Sequence, residues 1–344
     1  MIFNKTRAAN HLLNRDVSQV MQEVLYALVP GTLVLLWYFG WGALSNWFLA
    51  IGFAVGLEAG MLKLRERPLA PFLNDYSAVV TGWLLAVAMP AYSPWWLILI
   101  ACIFAIVIAK QLYGGLGYNP FNPAMIGYAA MLVSYPVQMT IWPQPVSFSF
   151  AHIPFDQAML HVFGGSTQGW DALTAATPLD SVKVNLGLHK TLDDIYTNGH
   201  FGIFAGQAWE WVSVAWLLGG LWMLYRRIIT WHIPVALLGG LSLTATLFWL
   251  MNAQHYASPL FHLFSGAAML GAFFIATDPI SASTTPLGKL IYAAGIGVLT
   301  YIIRTWGGYP DAIAFSVIIM NMAVPVIDNY TQPRVYGTKR GAMR

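Results

Sequence analysis

Charge is what this chain has least of: only 9% of its 344 residues are Asp, Glu, Lys or Arg, against about 25% in ordinary soluble domains. That scarcity excludes a water-soluble globule with a polar surface. Cysteine is nearly absent too. The single Cys102 lies inside an apolar run, so the chain supplies neither a disulfide framework nor the thiolates of an iron–sulfur cluster, and we read Cys102 as a packed apolar side chain. The histidines, His11, His152, His161, His189, His200, His232, His255 and His262, are scattered over different segments without the short spacings of a zinc set. A glycine fingerprint between strand and helix for a dinucleotide is also missing. We expect no metal site and no nucleic-acid partner.

What is abundant is apolar. Hydrophobic residues make up 58% of the chain and aromatic residues 15%, with 15 Trp, the composition of a polytopic membrane protein with aromatic rings at both bilayer interfaces. The polar start, with Lys5, Arg7 and Arg15, leads without an evident cleavable signal into a run of spanning length. A span needs about 20 predominantly apolar residues, and ten stretches qualify, near 22–40, 43–62, 76–92, 95–113, 121–138, 209–226, 231–250, 259–277, 288–306 and 312–328. The third, fifth and tenth are short or interrupted. With the N-terminus cytoplasmic, this count leaves Lys183, Lys190 and Arg304 outside and the remaining fourteen of the 17 Lys and Arg inside, the bias that orients membrane proteins.

The predicted organisation is an all-α fold: a five-helix half over 1–138, an outer segment over 139–208, a second five-helix half over 209–328 and a cytoplasmic tail over 329–344. The halves also echo each other. TGWLLAVAMP at 81–90 resembles LGAFFIATDP at 270–279; Lys110 precedes Gly114-Gly115 as Arg304 precedes Gly307-Gly308. Five helices per half make equivalent helices antiparallel, the arithmetic of an inverted repeat. The outer segment is too long for a simple connection. We expect it to form a small cap of short helices and turns.

Several stretches carry candidate chemistry. YGGLGYNPFNPAMIG at 113–127 has glycines and two Asn-Pro steps that prevent regular helix, leaving backbone groups that need partners at membrane depth. Asn119 and Asn122 are candidates to hold a flavin edge or a sodium ion; the alternative is a helix start in which Asn caps and Pro opens the first turn. Asp278, among the hydroxyls of 277–284, is placed on the same face as a ligand or hydrogen-bond partner, or else as an Asx turn. Glu58 is the clearest acid within a predicted span, a functional candidate by the cost of burying it, unless Lys63 or Arg65 pairs with it. Arg304, near the outer end of its helix, either neutralises a phosphate or snorkels to the interface.

The last stretch is DALTAAT, 171–177. Small residues leave the Thr177 hydroxyl open and Pro178 limits helix across it; taken alone, it is a modification site or an ordinary turn. It resembles the flavin-attachment signature D-x-x-[S/T]-x-A-T, with Asp171, Thr174 and Ala176 as its other positions and Ala175 where many members carry Gly. AKQLYGGLGYNPFNPAMIGY at 109–128, TDPISASTT at 277–285, GGYPDAIAF at 307–315 and YTQPRVYG at 330–337 extend the resemblance over nearly the whole chain. It is to the family of the RnfD component of Rnf electron-transport complexes and the NqrB component of sodium-pumping NADH:quinone reductases. The short N-terminal region favours the Rnf branch.

That resemblance implies FMN joined by a phosphoester to Thr177, and a noncovalent riboflavin for which the backbone around Asn119 and Asn122 is the candidate site. It implies partners: the A, B, C, E and G components of the Rnf complex, the last with its own covalent FMN, and a flavin transferase during maturation. It further implies a bacterial inner-membrane subunit, surrounded by lipid, with both termini cytoplasmic and residues 139–208 periplasmic. The complex would couple electron transfer between ferredoxin and NAD to Na+ or H+ movement. A redox-inactive inverted-repeat channel or transporter is the competing expectation. It gives DALTAAT no role.

Overall fold

The computed structural model describes residues 16–147, 149–164, 173–197, 201–309 and 311–333. The chain is predominantly helical, at 72%. Helix α1 runs Val17–Leu64 but is not a continuous rod: Gly40 adopts φ 51°, ψ −129° inside it, a conformation open to glycine and strained for other residues. Trp83 shows what that break does. Its indole donates to Thr32 before Gly40 at 2.8 Å and meets the Trp47 ring after it at 5.0 Å. Residues fifteen apart in a straight helix would lie about 22 Å apart, so the two arms of α1 fold back on each other.

The short α2 (Leu69–Leu73) leads to α3 (Ser77–Ala88), which ends where Met89 turns extended ahead of Pro90. Helix α4 (Trp95–Cys102) continues as a wider π-helical stretch over Ile103–Gln111. After the glycine-rich turn come α5 (Pro123–Ser134) and α6 (Pro136–Thr140). Beyond the cap lie α10 (Gln207–Tyr225) and α11 (His232–Met251), then α12 (Pro259–Phe264) and α13 (Ala268–Leu270), the last extended by π-helical Gly271–Ile275. Helices α14 (Pro286–Trp306) and α15 (Ile313–Thr331) complete the described chain.

One local rule starts several of these helices. Asn122, Ser258 and Thr285 cap α5, α12 and α14 through their side-chain oxygens, each followed by Pro at the first helical position, where a missing N–H costs nothing. The expected span at 259–277 is interrupted, because Gly266 takes φ +62° between α12 and α13. The expected 76–92 helix loses its end to Pro90.

Among the described residues, α1, α11, α14 and α15 are long and apolar enough to cross a membrane, with α3, 95–111 and α5 as shorter apolar helices. The chain is a polytopic membrane protein. Small residues let the helices approach closely, as membrane packing favours: a Cβ on Gly82 of α3 would lie 2.8 Å from the Ala50 carbonyl, and one on Gly127 of α5 would lie 2.6 Å from that of Ala101.

The cap joins 135–206 to the helix ends. Strands β1 (Trp142–Pro143) and β2 (Thr174–Ala175) pair antiparallel, Trp142 opposite Ala175. The cap also contains helices α7 (Phe155–Gly164), α8 (Pro178–Gly187) and α9 (Leu192–Tyr196). Leu179, Val182, Leu192 and Ile195 of α8 and α9 bury themselves against Phe261 of α12, seating this part of the cap on the second half of the chain.

Candidate functional site

Thr177 is the residue that caps α8. Its Oγ1 accepts from the Asp180 N–H at 3.3 Å, and Pro178 takes the first helical position. The ordinary-turn reading of Thr-Pro thus has a concrete form, but Thr177 is only half-buried and lines a cavity together with Asp180 and Asp311. Trp142, Trp209, Trp216 and Tyr128 form aromatic walls, and Met125, Leu270 and Ile275 close its deep end. A more polar groove of about 1450 Å³, lined by Ala175, Ala176, Pro178, Ser181 and Gln207, lies on the other side of the same turn. Thr174 belongs to β2, pinned by β1, and Ala176 is exposed. Asp171 lies outside the described residues.

Charge near Thr177 is sparse and strained by burial. Desolvation raises Asp180 above the ordinary carboxylate range, an effect that Lys183 opposes. Lys183 is lowered by its own desolvation and partly restored by Asp180. Its ammonium donates to the carbonyl of Gly307 and, at 3.0 Å, to that of Tyr309.

A second cavity brings Asn119, Asn122 and Asp278 together with Lys110, Ser77, Thr81 and Phe274. The two cavities stack through the core on shared helices. On α5, Pro123 and Ala124 line this one and Met125 the other; on the π-helical turn, Phe274 faces here and Ile275 there. Asn122 does cap α5, through Met125 N–H at 3.3 Å, yet its amide also donates to the Ile275 carbonyl at 3.2 Å. Asp278 makes the Asx contact to Ile280 N–H and accepts from Ser281 at 2.7 Å. Asn119 is different: its amide nitrogen donates to Phe121 O at 3.0 Å, while its buried Oδ1 has no partner. An acceptor left unmet at that depth is costly, and a ring N–H or a cation would meet it.

Glu58 corrects the sequence expectation about its partner. Neither Lys63 nor Arg65 pairs with it. Its carboxylate meets Lys110 Nζ at 2.7 Å and Gln111 Nε2 at 2.8 Å, with Glu58 and Lys110 only 2% and 1% exposed. The reason is geometric: Lys63 continues the same helix toward its end, whereas the π-helical stretch delivers Lys110 and Gln111 across to the second arm of α1. Arg65 instead donates to Gln111. Arg304 differs likewise from both roles expected of it. All three of its guanidinium nitrogens are engaged by Asp311, His262 O and Ser265 O, leaving the fork neither free for a phosphate nor extended to the interface.

Sequence reasoning missed Lys110, counted among cytoplasmic charges although it fell inside a predicted span; a lysine there was the signal that Glu58 had a partner. It also missed Asn321 and Tyr292. With its amide oriented to satisfy both ends, Asn321 donates to Ser281 O at 3.3 Å and Tyr292 Oη at 2.7 Å and accepts from Asn122 N–H at 3.1 Å. It thereby ties α15 to α5 behind the inner cavity. A lone Asn in α15 had no spacing partner to reveal this.

A helical membrane protein with a folded cap, two stacked cavities at its core and a capping threonine at the outer one is the class that this geometry defines. The chain belongs to the NQR2, RnfD, RnfE family, whose model matches residues 5–337. It is similar to proteins named as the D component of an ion-translocating oxidoreductase complex. That of Vibrio cholerae serotype O1 (classical Ogawa strain) is 53% identical over 333 residues, covering 94% of this chain and 96% of the relative. The Ectopseudomonas mendocina protein is 52% identical over 326 residues, 94% and 92% of the two chains. That of Escherichia fergusonii is 48% identical over 338 residues, 95% and 96% of the two chains.

Proposed function

We propose that this chain is the membrane subunit of an Rnf-type complex, that Thr177 bears FMN through a phosphoester, and that the complex couples electron transfer between ferredoxin and NAD to movement of Na+ or H+. The observation that carries this reading is the half-buried Thr177 at an aromatic-walled cavity, the kind of mostly apolar site with a few placed polar groups that small molecules use. Family membership and the names of the relatives support it. A bound flavin supplies the redox chemistry that no side chain here provides.

The residues divide that task. Thr177 would anchor the phosphate beside the N-terminus of the ten-residue α8, where the helix dipole and free N–H groups favour an anion. Lys183 offsets the nearby carboxylate of Asp180. Trp142, Trp209, Trp216 and Tyr128 would exclude water from a planar ring. In the inner cavity, the unmet Oδ1 of Asn119, with Asn122 and Asp278, would take the polar edge of a noncovalent riboflavin or a translocated cation.

We further propose ten spans in two inverted halves of five, both termini cytoplasmic and the cap periplasmic, with the Rnf A, B, C, E and G components as partners and a flavin transferase acting on Thr177 from outside. The charge asymmetry supports this orientation. So does the matching of Lys110 and Arg304, buried cations at the ends of the fourth helix of each half.

Mass spectrometry of the peptide containing Thr177 from the purified complex tests the assignment. A mass increment of FMN, with an in-gel flavin band lost in Thr177→Ala, is expected. A wild-type peptide of bare amino-acid mass, isolated with the transferase coexpressed, would instead favour a redox-inactive channel or transporter.

A further inference from the structure

Lys183, Arg304 and Asp311 do not belong to one element, yet they fasten the same junction. Arg304 sits in the last turn of α14, and its guanidinium reaches His262 O at 2.7 Å and Ser265 O at 3.1 Å, carbonyls at the end of α12 that have no next turn to bond. Asp311 completes the other side of the break. Its Oδ1 accepts from Arg304 at 3.0 Å, while its Oδ2 accepts from the Ala267 N–H at 2.7 Å. The pair thus holds the interruption between α12 and α13 in one shape.

That interruption is the wall opposite Thr177. Gly266 and Ala267 line the outer cavity together with Thr177 and Asp180. The fit leaves no room for a side chain, since a Cβ on Gly266 would come within 2.6 Å of both Asp311 Oδ2 and Leu179 Cδ1. Leu179 is two residues beyond Thr177 on α8. From the same helix, Lys183 donates to the Gly307 and Tyr309 carbonyls, in the link that joins Arg304 to Asp311. The two charge-assisted Lys183 contacts therefore hold α8 to the link between α14 and α15, whose Arg304 and Asp311 hold the broken helix, and Leu179 packs close to Gly266 itself.

We propose that Lys183, Arg304 and Asp311 are positioning residues that lock the Thr177 turn over the outer cavity, so that a planar aromatic group borne on Thr177 is turned inward and shielded from water. This rests on the reading that Thr177 carries a flavin. Lys183 and Arg304 lie outside the lining of the outer cavity, whereas Asp311 forms part of it; all three act by fixing α8 relative to α12 and α13.

The test uses the purified complex with Lys183→Met, Asp311→Asn and the conservative Lys183→Arg. Peptide mass gives covalent loading, and iodide quenching of flavin fluorescence gives access of water to the ring. Full loading with quenching raised several-fold in Lys183→Met and Asp311→Asn, a shifted flavin midpoint potential and near-normal values in Lys183→Arg are expected. Unchanged quenching in both variants at full loading would overturn the proposal. A second arm needs no flavin. With Cys102→Ala as background, the buried Leu179→Cys should resist an impermeant maleimide and become reactive when Lys183→Met is added. Equal reactivity with and without Lys183→Met refutes the lock. Absence of an adduct in the wild type refutes the flavin reading alone, and the cysteine arm then decides whether the lock exists.

Discussion

Lys110 with Glu58 and Arg304 with Asp311 stand at matching points of the chain, each cation closing an apolar helix shortly before a Gly-Gly pair, but they are built for different work. The inner pair is sealed, 1% and 2% exposed, and its remaining contacts are side chains: Ser77 Oγ at 2.7 Å from Lys110 and Gln111 at 2.8 Å from Glu58. The outer pair leaves the Asp311 side chain 22% exposed and spends its donors on backbone carbonyls. Both inner charges are almost wholly buried, so each depends on the other; the outer pair is a brace for a broken helix. Similar sequence context has thus yielded an electrostatic unit in one half and a backbone latch in the other.

The sharpest way to break this comparison is to remove a cation from the sealed pair. Lys110→Met should destabilise by about 3–5 kcal/mol, because it strands a buried carboxylate. Adding Glu58→Leu should recover most of the loss, read as the thermal midpoint of the detergent-solubilised protein. If the double variant is no better than the single one, the pair is not a self-contained unit. Arg304→Met should cost less, about 2–3 kcal/mol, since Asp311 can turn to water while two carbonyls lose a charged donor. Arg304→Lys should rescue only part of it, because an ammonium lacks the planar fork. Equal losses at Lys110 and Arg304 would erase the distinction drawn here.

Gly266→Ala probes the latch from the opposite side. A side chain at φ +62° pressed against Asp311 and Leu179 should cost about 1–3 kcal/mol, with the same thermal readout; a neutral result would mean that the break can relax. The smallest effect belongs to the cap. Thr191 and Asp194 form a reciprocal capping box at the start of α9, and the Thr191 hydrogen bonds hold Asp194 below its ordinary value of 3.8. A depressed carboxyl stabilises the fold above its unfolded value and loses that contribution as pH falls through the lower, folded one. Hydrogen-exchange protection factors in α9, which remove the pH dependence of intrinsic exchange, should therefore fall on acidification below about pH 3.8 in the wild type, and Thr191→Ala should remove this fall.

Much of this was legible in the residues, though unevenly. Periodicity and composition announced apolar helices. The polar-residue-then-Pro signature reads as a helix start at Asn122, and the structure finds the same signature opening α8 at Thr177 and α14 at Thr285, since capping and the proline ring act within one turn. Interruptions at Pro90 and Gly266 were harder to see, because an apolar run reads as continuous whether or not its backbone is. The candidates Asn119, Asn122 and Asp278 were found by their oddity in membrane sequence. A common face for them was expected, whereas the cavity that they share and the bracing by Asn321 and Tyr292 were not.

By itself, the sequence determined that this chain must live in a membrane, that Thr177 is a modification site or part of an ordinary turn, and that Glu58 needed an explanation. Each follows from local chemistry: too little charge to face water, a hydroxyl beside a proline, a carboxylate in an apolar run. Only the tertiary structure decided what Glu58 and Arg304 touch. The partners of a buried charge are set by which helices the packing brings alongside, and a lysine 52 residues away satisfied the carboxylate where the lysine five residues away did not.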